Sequence, residues 1–311
     1  MGVPSAARSD LQEAPAVQPD TRHFLPVFEA EYVILSEIAN IPVVNSVNAA
    51  DDSPGSRTLF AAENTVVVIP TFNERANIAQ LVAAIFASYP QIRILIVDDH
   101  SPDGTADVVR ELQLHAWCGG NLLLLERLKS PGFAASYRDG FRQVLAEPWC
   151  RAVITMDADF SHNPSVIRYL LDKLAGHDVV VGSRYTAGGS VEHWNLRRRL
   201  LSRTANLYVR AALGLRIHDA TSGFMCLRRE ALESVPHQTT ASEGYAFVVE
   251  LKYLLYRAGY RIAEYPIAFD ERREGQSKMS MGKIWESVWM PWRIRALARS
   301  SNLGGGNTRS G

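Results

Sequence analysis

Residues 66–99 read VVVIPTFNERANIAQLVAAIFASYPQIRILIVDD. Val66–Pro70 is a continuous apolar run of strand length that stops at a proline. The spacing of Ile78, Leu81, Val82 and Ile85 then predicts a helix over roughly Arg75–Ser88 with one apolar face. A second apolar run, Arg93–Asp99, follows. Strand, helix and strand, both strands with a continuous apolar centre, describe a parallel crossover unit covered on both faces. The rhythm continues outward. LLLLE (122–126), AVITMDAD (152–159) and DVVVGSR (178–184) read as further strands. Helices are expected near Ala106–Leu114, Ser136–Leu145 and Pro164–Leu174. The expected class is α/β, with a mostly parallel central sheet and helices on both faces. Ligands in such sheets bind at the carboxyl ends of the strands.

Composition excludes several alternatives. The 311 residues carry 33 basic and 33 acidic side chains, so no basic excess points to nucleic acid. Three widely spaced cysteines make neither a disulfide framework nor a cysteine zinc site, and a reducing compartment is the simpler reading. No run of about 18 apolar residues is present to span a bilayer. The first twenty residues lack the apolar core of a secretory signal, and Ala6 breaks the myristoylation pattern. Residues 1–64 read as an extension, with the first 23 polar and disordered in character. Residues 65–270 are expected to form the α/β domain, and 271–311 a basic loop, an amphipathic helix and a tail.

Three strands end in chemistry: Pro70-Thr71-Phe72-Asn73-Glu74, Asp98-Asp99 and Asp157-Ala158-Asp159. Two carboxylates at i and i+2 can share a hard cation that also holds phosphate oxygens. The same spacing occurs in surface turns, so spacing alone leaves both readings open. Asp103 or Thr105 is expected to cap the next helix. Asp98 and Asp99 precede that turn, which leaves ligand contact open for them. Arg197, Arg198, Arg199, Arg203 and Arg210 suit either a solvated face or an anionic phosphate. The loop around Arg272, Gly275, Ser277 and Lys278 is either a linker or a lid over a diphosphate. His162, His193 and His218 have no partner at metal spacing and read as structural. The sequence has no GxGxxG after the first strand, no GxxxxGK[ST] and no GxSxG.

Together the segments VVIPTFNERANI, ILIVDDHSPDGTADVV, MDADFSHNP, VVGSRY, WNLRRRLLSRTAN, DATSGF and RREGQSK resemble the inverting glycosyltransferase family 2, in its dolichol-phosphate (polyprenyl-phosphate) mannose synthase branch. The resemblance runs from about Val66 to Lys278 and implies a GT-A nucleotide-sugar-binding fold. It implies that Pro70, Phe72, Glu74, Val97 and Asp99 contact the nucleotide. It implies that Asp157, Ala158 and Asp159 hold Mg²⁺ or Mn²⁺ and the donor diphosphate, with Arg184, Arg272 and Lys278 assisting. Arg127 and Lys129 match basic positions before the Gly-rich segment. Arg127, Arg197, Arg198, Arg199 and Arg203 are the candidates for an acceptor phosphate.

Two positions depart from the family pattern. Val248 stands where relatives place Gln as a third metal ligand, which leaves Glu243 or Glu250 as stand-ins and makes Val248→Gln an expected gain in metal binding. Met225 stands where relatives carry Arg. The implied function is transfer of mannose from GDP-mannose to a polyprenyl or dolichyl phosphate. The other readings are UDP-glucose or another donor, a soluble hydroxyl acceptor with Glu243 as base, or a non-catalytic binding subunit. A phosphate acceptor is already anionic and needs no strong base. Ile284, Trp285, Val288, Trp289 and Trp292, flanked by Lys283, Arg293, Arg295 and Arg299, suit a membrane interface. A terminal helix packed on the domain is the other reading, with Pro291 as a break or kink. The expected location is peripheral, at the cytoplasmic face of a membrane.

Overall fold

The computed structural model describes residues 60–128, 131–191, 193–235, 242–244, 246–269 and 281–300, with side chains of the last segment described for 289–298. These residues belong to a compact unit spanning Val47–Gly311.

The apolar runs become strands β1 (Thr65–Thr71), β2 (Arg93–Asp98), β3 (Leu122–Glu126), β4 (Ala152–Thr155) and β5 (Val179–Ser183). Helices α1 (Arg75–Ser88), α2 (Thr105–Gln113), α3 (Phe133–Leu145) and α4 (Ile167–Leu174) alternate with them, the last preceded by a 3₁₀ turn at Pro164–Val166. Helix α1 runs over the residues its periodicity predicts. Helix α3 starts three residues earlier than expected, at Phe133. It lies so close to the sheet that a Cβ on Gly140 would come within 2.9 Å of Val68 and 3.0 Å of Val97.

Later elements complete the sheet. They are β6 (Ser190–Val191), α5 (Leu196–Leu213), β7 (Met225–Arg228), α6 (Arg229–Ser234), α7 (Ala246–Arg257), β8 (Ile262–Pro266), β9 (Ala268–Phe269) and α8 (Met281–Ser300). Among the described residues the main sheet has the order β3-β2-β1-β4-β7-β5-β8, and β6 pairs with β9 in a small second sheet. Only β7 runs antiparallel to its main-sheet neighbours, β4 and β5. Two apolar layers cover the sheet. One centres on α3 and α7, the other on α1, α2 and α4.

Register explains the working edge. Thr71 pairs with Asp98, so β1 and β2 end level, and Val68 pairs with Thr155 on β4. Because β7 is antiparallel, it begins where β4 ends, with Met225 opposite Thr155. The segment before it, residues 219–224, is thereby delivered to the same edge as the strand ends. The strand expected over residues 152–159 stops at Thr155, and Asp157 and Asp159 lie in the turn beyond it. Pro291 does not break α8, which is continuous across it.

Candidate active site

Each of the three chemistry-bearing strand ends turns through a left-handed residue that is not glycine. These are Asn73 (φ 61°), His100 (φ 58°) and Phe160 (φ 63°). Such backbone is uncommon for bulky side chains and requires surrounding bonds to hold it. After β1, the Asn73 N–H donates to Ser101 Oγ and the Glu74 N–H to Thr105 Oγ1. Asp103 accepts the Arg75 N–H through one oxygen, and the Thr105 N–H and hydroxyl through the other. Asp103 thus ties the first residues of two helices together, while the N-cap position of α2 is held by Gly104 rather than by the expected Asp103 or Thr105.

Asp98 is buried and tied within the edge: it accepts from Thr71 Oγ1, Ser101 N and Ser101 Oγ. Asp99 is buried, with one oxygen paired to Arg127 and the other accepting the Gly132 N–H. Arg127 is itself buried and also bonds Asp139 at 2.8 Å. Its burial and two carboxylate partners give it the task of fixing Asp99, which corrects the expectation that it receives an acceptor phosphate. The Val97 side chain is fully buried in the core and faces Gly140, so it offers a nucleotide only its backbone. Phe72 is 37% exposed at the edge, beside half-buried Pro70 and Glu74.

Asp157 is half-buried and Asp159 buried. Asp159 Oδ1 accepts the N–H and hydroxyl of Ser161, which closes the turn after Ala158. Asp157 is held through its backbone, whose N–H donates to His162 Nδ1 at 3.0 Å. His162 is buried and stacks on Phe224 at 4.8 Å. It is structural, and the structure it serves is the acidic turn. Val248 and Met225 are fully buried in the same apolar layer. A glutamine at 248 would put its amide into that layer, so the expected gain in metal binding does not fit this chain. Nor do the stand-ins join: Glu250 accepts the Ser242 N–H, Glu243 pairs with Arg138, and no three metal-type ligands converge among the described residues. The donor set at the turn is therefore two carboxylates. It fits a hard divalent cation completed by phosphate oxygens and water.

Arg184 follows β5 and is nine-tenths buried. Its Nε and Nη2 donate to the two oxygens of Asp219, each at 2.8 Å, and Nη2 also reaches Thr221 Oγ1. Burial alone would lower the Arg184 pKa and raise that of Asp219; the bidentate pair outweighs it, so Arg184 is raised and Asp219 lowered. Gly189 allows the loop after β5 to fold back, since a Cβ there would lie 2.6 Å from the Ser183 carbonyl oxygen. Glu264 accepts the N–H groups of His218 and Asp219.

Beside this layer opens a cavity of about 390 Å³ lined by Arg184, Tyr185, Arg203, Asn206, Arg210 and His218, among others. The Nε of Arg210 is buried there without a hydrogen-bond partner. Of the arginines predicted for the acceptor, Arg203 lines the cavity. Arg197 is exposed, Arg198 lies over the Trp194 ring at 4.1 Å, and Arg199 donates to the Val191 carbonyl. Arg272, Lys278 and Lys129 lie outside the described residues. The three cysteines are buried, and burial pushes the Cys150 thiol up to about 11, so none is placed as a nucleophile.

Sequence reasoning missed Asp219, Lys252 and the ordering role of His162. Lys252 did leave a signal: with Glu250 it interrupts the otherwise apolar run AFVVELKYLLY.

Helix α8 packs against α5 and α7, burying Ile294 and Ala298. Its Trp289 and Trp292 remain 68% and 50% exposed, and Trp292 Nε1 donates to Tyr208 on α5. Leu196, Leu200, Leu201 and Leu207 are exposed on α5. The helix thus packs on the domain, the second of the two readings of the tail, while two of its tryptophans stay exposed. Among the described residues no helix is long and apolar enough to cross a membrane.

Comparison with known proteins agrees with this geometry. The chain is 40% identical over 241 residues to polyprenol monophosphomannose synthase of Mycolicibacterium smegmatis, covering 76% of this chain and 90% of that one. It is 35% identical over 238 residues to undecaprenyl-phosphate mannosyltransferase of Micrococcus luteus, covering 76% and 96%. Among solved structures it is similar to mannosyl-3-phosphoglycerate synthase from Rubrobacter xylanophilus, with TM-score 0.53, 18% identity and coverage of 79% and 77%. It is also similar to glucosyl-3-phosphoglycerate synthase from Mycobacterium tuberculosis in complex with Mn²⁺, UDP and glucosyl-3-phosphoglycerate, with TM-score 0.51, 19% identity and coverage of 83% and 88%. The fold is the GT-A type. The profile of glycosyl transferase family 2 matches residues 66–235, more than half of the sequence, and the chain belongs to that family and is a glycosyltransferase.

Proposed function

We propose that this enzyme transfers mannose from GDP-mannose to a polyprenyl phosphate, with inversion at the anomeric carbon. One observation carries the reading: an arginine-lined cavity has in its wall a residue, Arg184, that interacts electrostatically with Asp157 of the acidic turn. A donor diphosphate at Asp157 and Asp159 and an acceptor phosphate at Arg203 and Arg210 would meet across Arg184. The named activities of the two relatives support the same pairing of a mannosyl group with a polyprenyl phosphate.

Pro70, Phe72, Glu74 and Asp99 lie along the strand ends where the nucleotide would rest. Asp157 and Asp159 would hold Mg²⁺ or Mn²⁺, the latter being the ion in the named complex of the solved neighbour. A cation there would neutralise charge on the departing diphosphate. The chain's own part is positional. Arg203 and Arg210 would fix the acceptor phosphate, leaving one of its oxygens to attack the anomeric carbon. That oxygen carries no proton to remove, so no general base is required of this chain. Arg272 and Lys278 would complete the anion site.

A lipid acceptor requires contact with a bilayer. Helices α5 and α8 pack on each other; α5 exposes leucines and Arg197, and α8 exposes Trp289, Trp292 and Arg293, a composition suited to an anionic interface. We place the enzyme peripherally, at the cytoplasmic face.

The test is transfer of radiolabelled mannose from GDP-mannose to a polyprenyl phosphate in detergent, with Mg²⁺ or Mn²⁺, with EDTA, and with Asp159→Ala. Metal-dependent label in the lipid phase that is lost in the variant is the expected result. Label from UDP-glucose instead, or only in a water-soluble acceptor, overturns the donor or the acceptor respectively.

A further inference from the structure

Lys252 lies in the middle of α7 and is completely buried. Its helix neighbours Phe247, Val248, Leu251 and Leu255 are completely buried too. An amine in such surroundings loses its hydration, and an apolar side chain would fill the place at lower cost. Its Nζ donates to one acceptor, the backbone carbonyl of Ser222. The charged groups acting on it are Asp219, Arg184 and Glu264, from three different segments.

Ser222 is the centre of residues 219–224, which touch the two halves of the site. At one end Asp219 holds Arg184 in the cavity wall. At the other, the Gly223 carbonyl accepts from Thr155 Oγ1 at 2.6 Å, and Phe224 stacks on His162, which holds Asp157. A single donor at Ser222 therefore acts on both ends. Asp219 keeps its three bonds from Arg184 whatever stands at 252, so removing the lysine leaves no carboxylate alone.

We propose that Lys252 is a positioning residue: its amine pins the Ser222 carbonyl from behind the sheet and so fixes the spacing between the arginine cavity and the acidic turn. For its kinetic consequence the inference rests on the glycosyl-transfer reading above.

The experiment compares full-length wild type, Lys252→Met and Lys252→Arg by amide hydrogen exchange, thermal melting and steady-state kinetics with polyprenyl phosphate. In Lys252→Met, residues 219–224 are expected to exchange about tenfold faster while the melting temperature holds or rises. The KM for polyprenyl phosphate is expected to rise about tenfold, more than the KM for the nucleotide sugar. Lys252→Arg, which keeps a cationic donor, is expected to recover part of both. Wild-type exchange at 219–224 with unchanged KM in Lys252→Met overturns the inference, as does a uniform loss of protection across the fold. Should Lys252→Met not fold, Lys252→Leu, which likewise lacks a donor, is measured in its place, and wild-type values there overturn the inference equally. If wild type transfers no sugar, the functional reading fails, and the exchange comparison still decides the role of Lys252.

Discussion

The backbone N–H of Asp157 is donated to Nδ1 of His162, five residues on, at 3.0 Å. The bond fixes the tautomer, because the accepting nitrogen carries no proton. It also joins the acidic turn to the core, since the same ring stacks on Phe224 at 4.8 Å. A buried aromatic side chain thus sets where the first residue of the acidic turn can be.

His162→Phe keeps an aromatic ring against Phe224 and removes the acceptor. Metal-dependent activity should fall by about 10–100-fold, the usual cost of losing a group that orients a ligand. A Mn²⁺ titration of transfer rate checks it, and an unchanged midpoint would refute the orienting role.

Val248→Gln should weaken the protein without strengthening metal binding. Val248 is fully buried among apolar neighbours, and an amide left without partners there costs about 1–3 kcal/mol. Urea denaturation measures the loss, and a tighter metal titration with intact stability would contradict it.

Arg184 and Asp219 form a buried bidentate pair, so either partner alone becomes an uncompensated charge. Arg184→Met or Asp219→Asn should each cost about 3–5 kcal/mol. The double variant should cost less than the sum, and a double-mutant cycle in denaturant tests that coupling.

Two titrations give stability a pH profile. Asp219 has its pKa lowered because the bonds from Arg184 outweigh burial. Its contribution is complete above the ordinary carboxylate range and disappears as pH falls through the depressed value. Burial pushes Lys252 down to about 7, partly opposed by Asp219. Between there and the ordinary lysine range the unfolded chain binds a proton that the folded chain does not, so stability rises with pH across that window. Lys252→Met should flatten the alkaline rise and leave the acid limb in place, as read by denaturant midpoints from pH 3 to 10.

Trp289→Ser with Trp292→Ser should reduce partitioning onto anionic vesicles by about tenfold. Sedimentation with phosphatidylglycerol vesicles reads it, while activity on a detergent-dispersed acceptor should hold near wild type. Equal sedimentation of variant and wild type would remove α8 from the membrane contact.

Local pattern made much of the edge legible. The apolar runs of β1 and β2 and the 3.6 period of α1 depend on neighbours in sequence, so they could be read directly. What failed to show was held by distant partners. Met225–Arg228 forms a strand because Thr155 lies on one side and Val181 on the other, and four residues carry no period of their own. The early end of β4 has the same cause. Arg184 reads as a ligand-facing cation from its motif, but its first partner is Asp219, 35 positions later. Asp99 likewise looks available until Arg127 and Gly132 are folded against it.

Strand β7 has a consequence for how the enzyme is made. It sits between β4 and β5 yet emerges after both, and it closes pairings some 45 to 75 positions back in the chain. Until it is synthesised, the middle of the sheet has a gap with two open edges, and those edges border the acidic turn. Contacts of such long range form late in folding, and exposed edges invite pairing with other chains. A nascent chain halted before Met225 would carry every residue of the acidic turn and yet be an aggregation hazard rather than a half-built enzyme. Activity on the ribosome should therefore arrive in a single step, after β7 and the elements that follow it have cleared the exit tunnel.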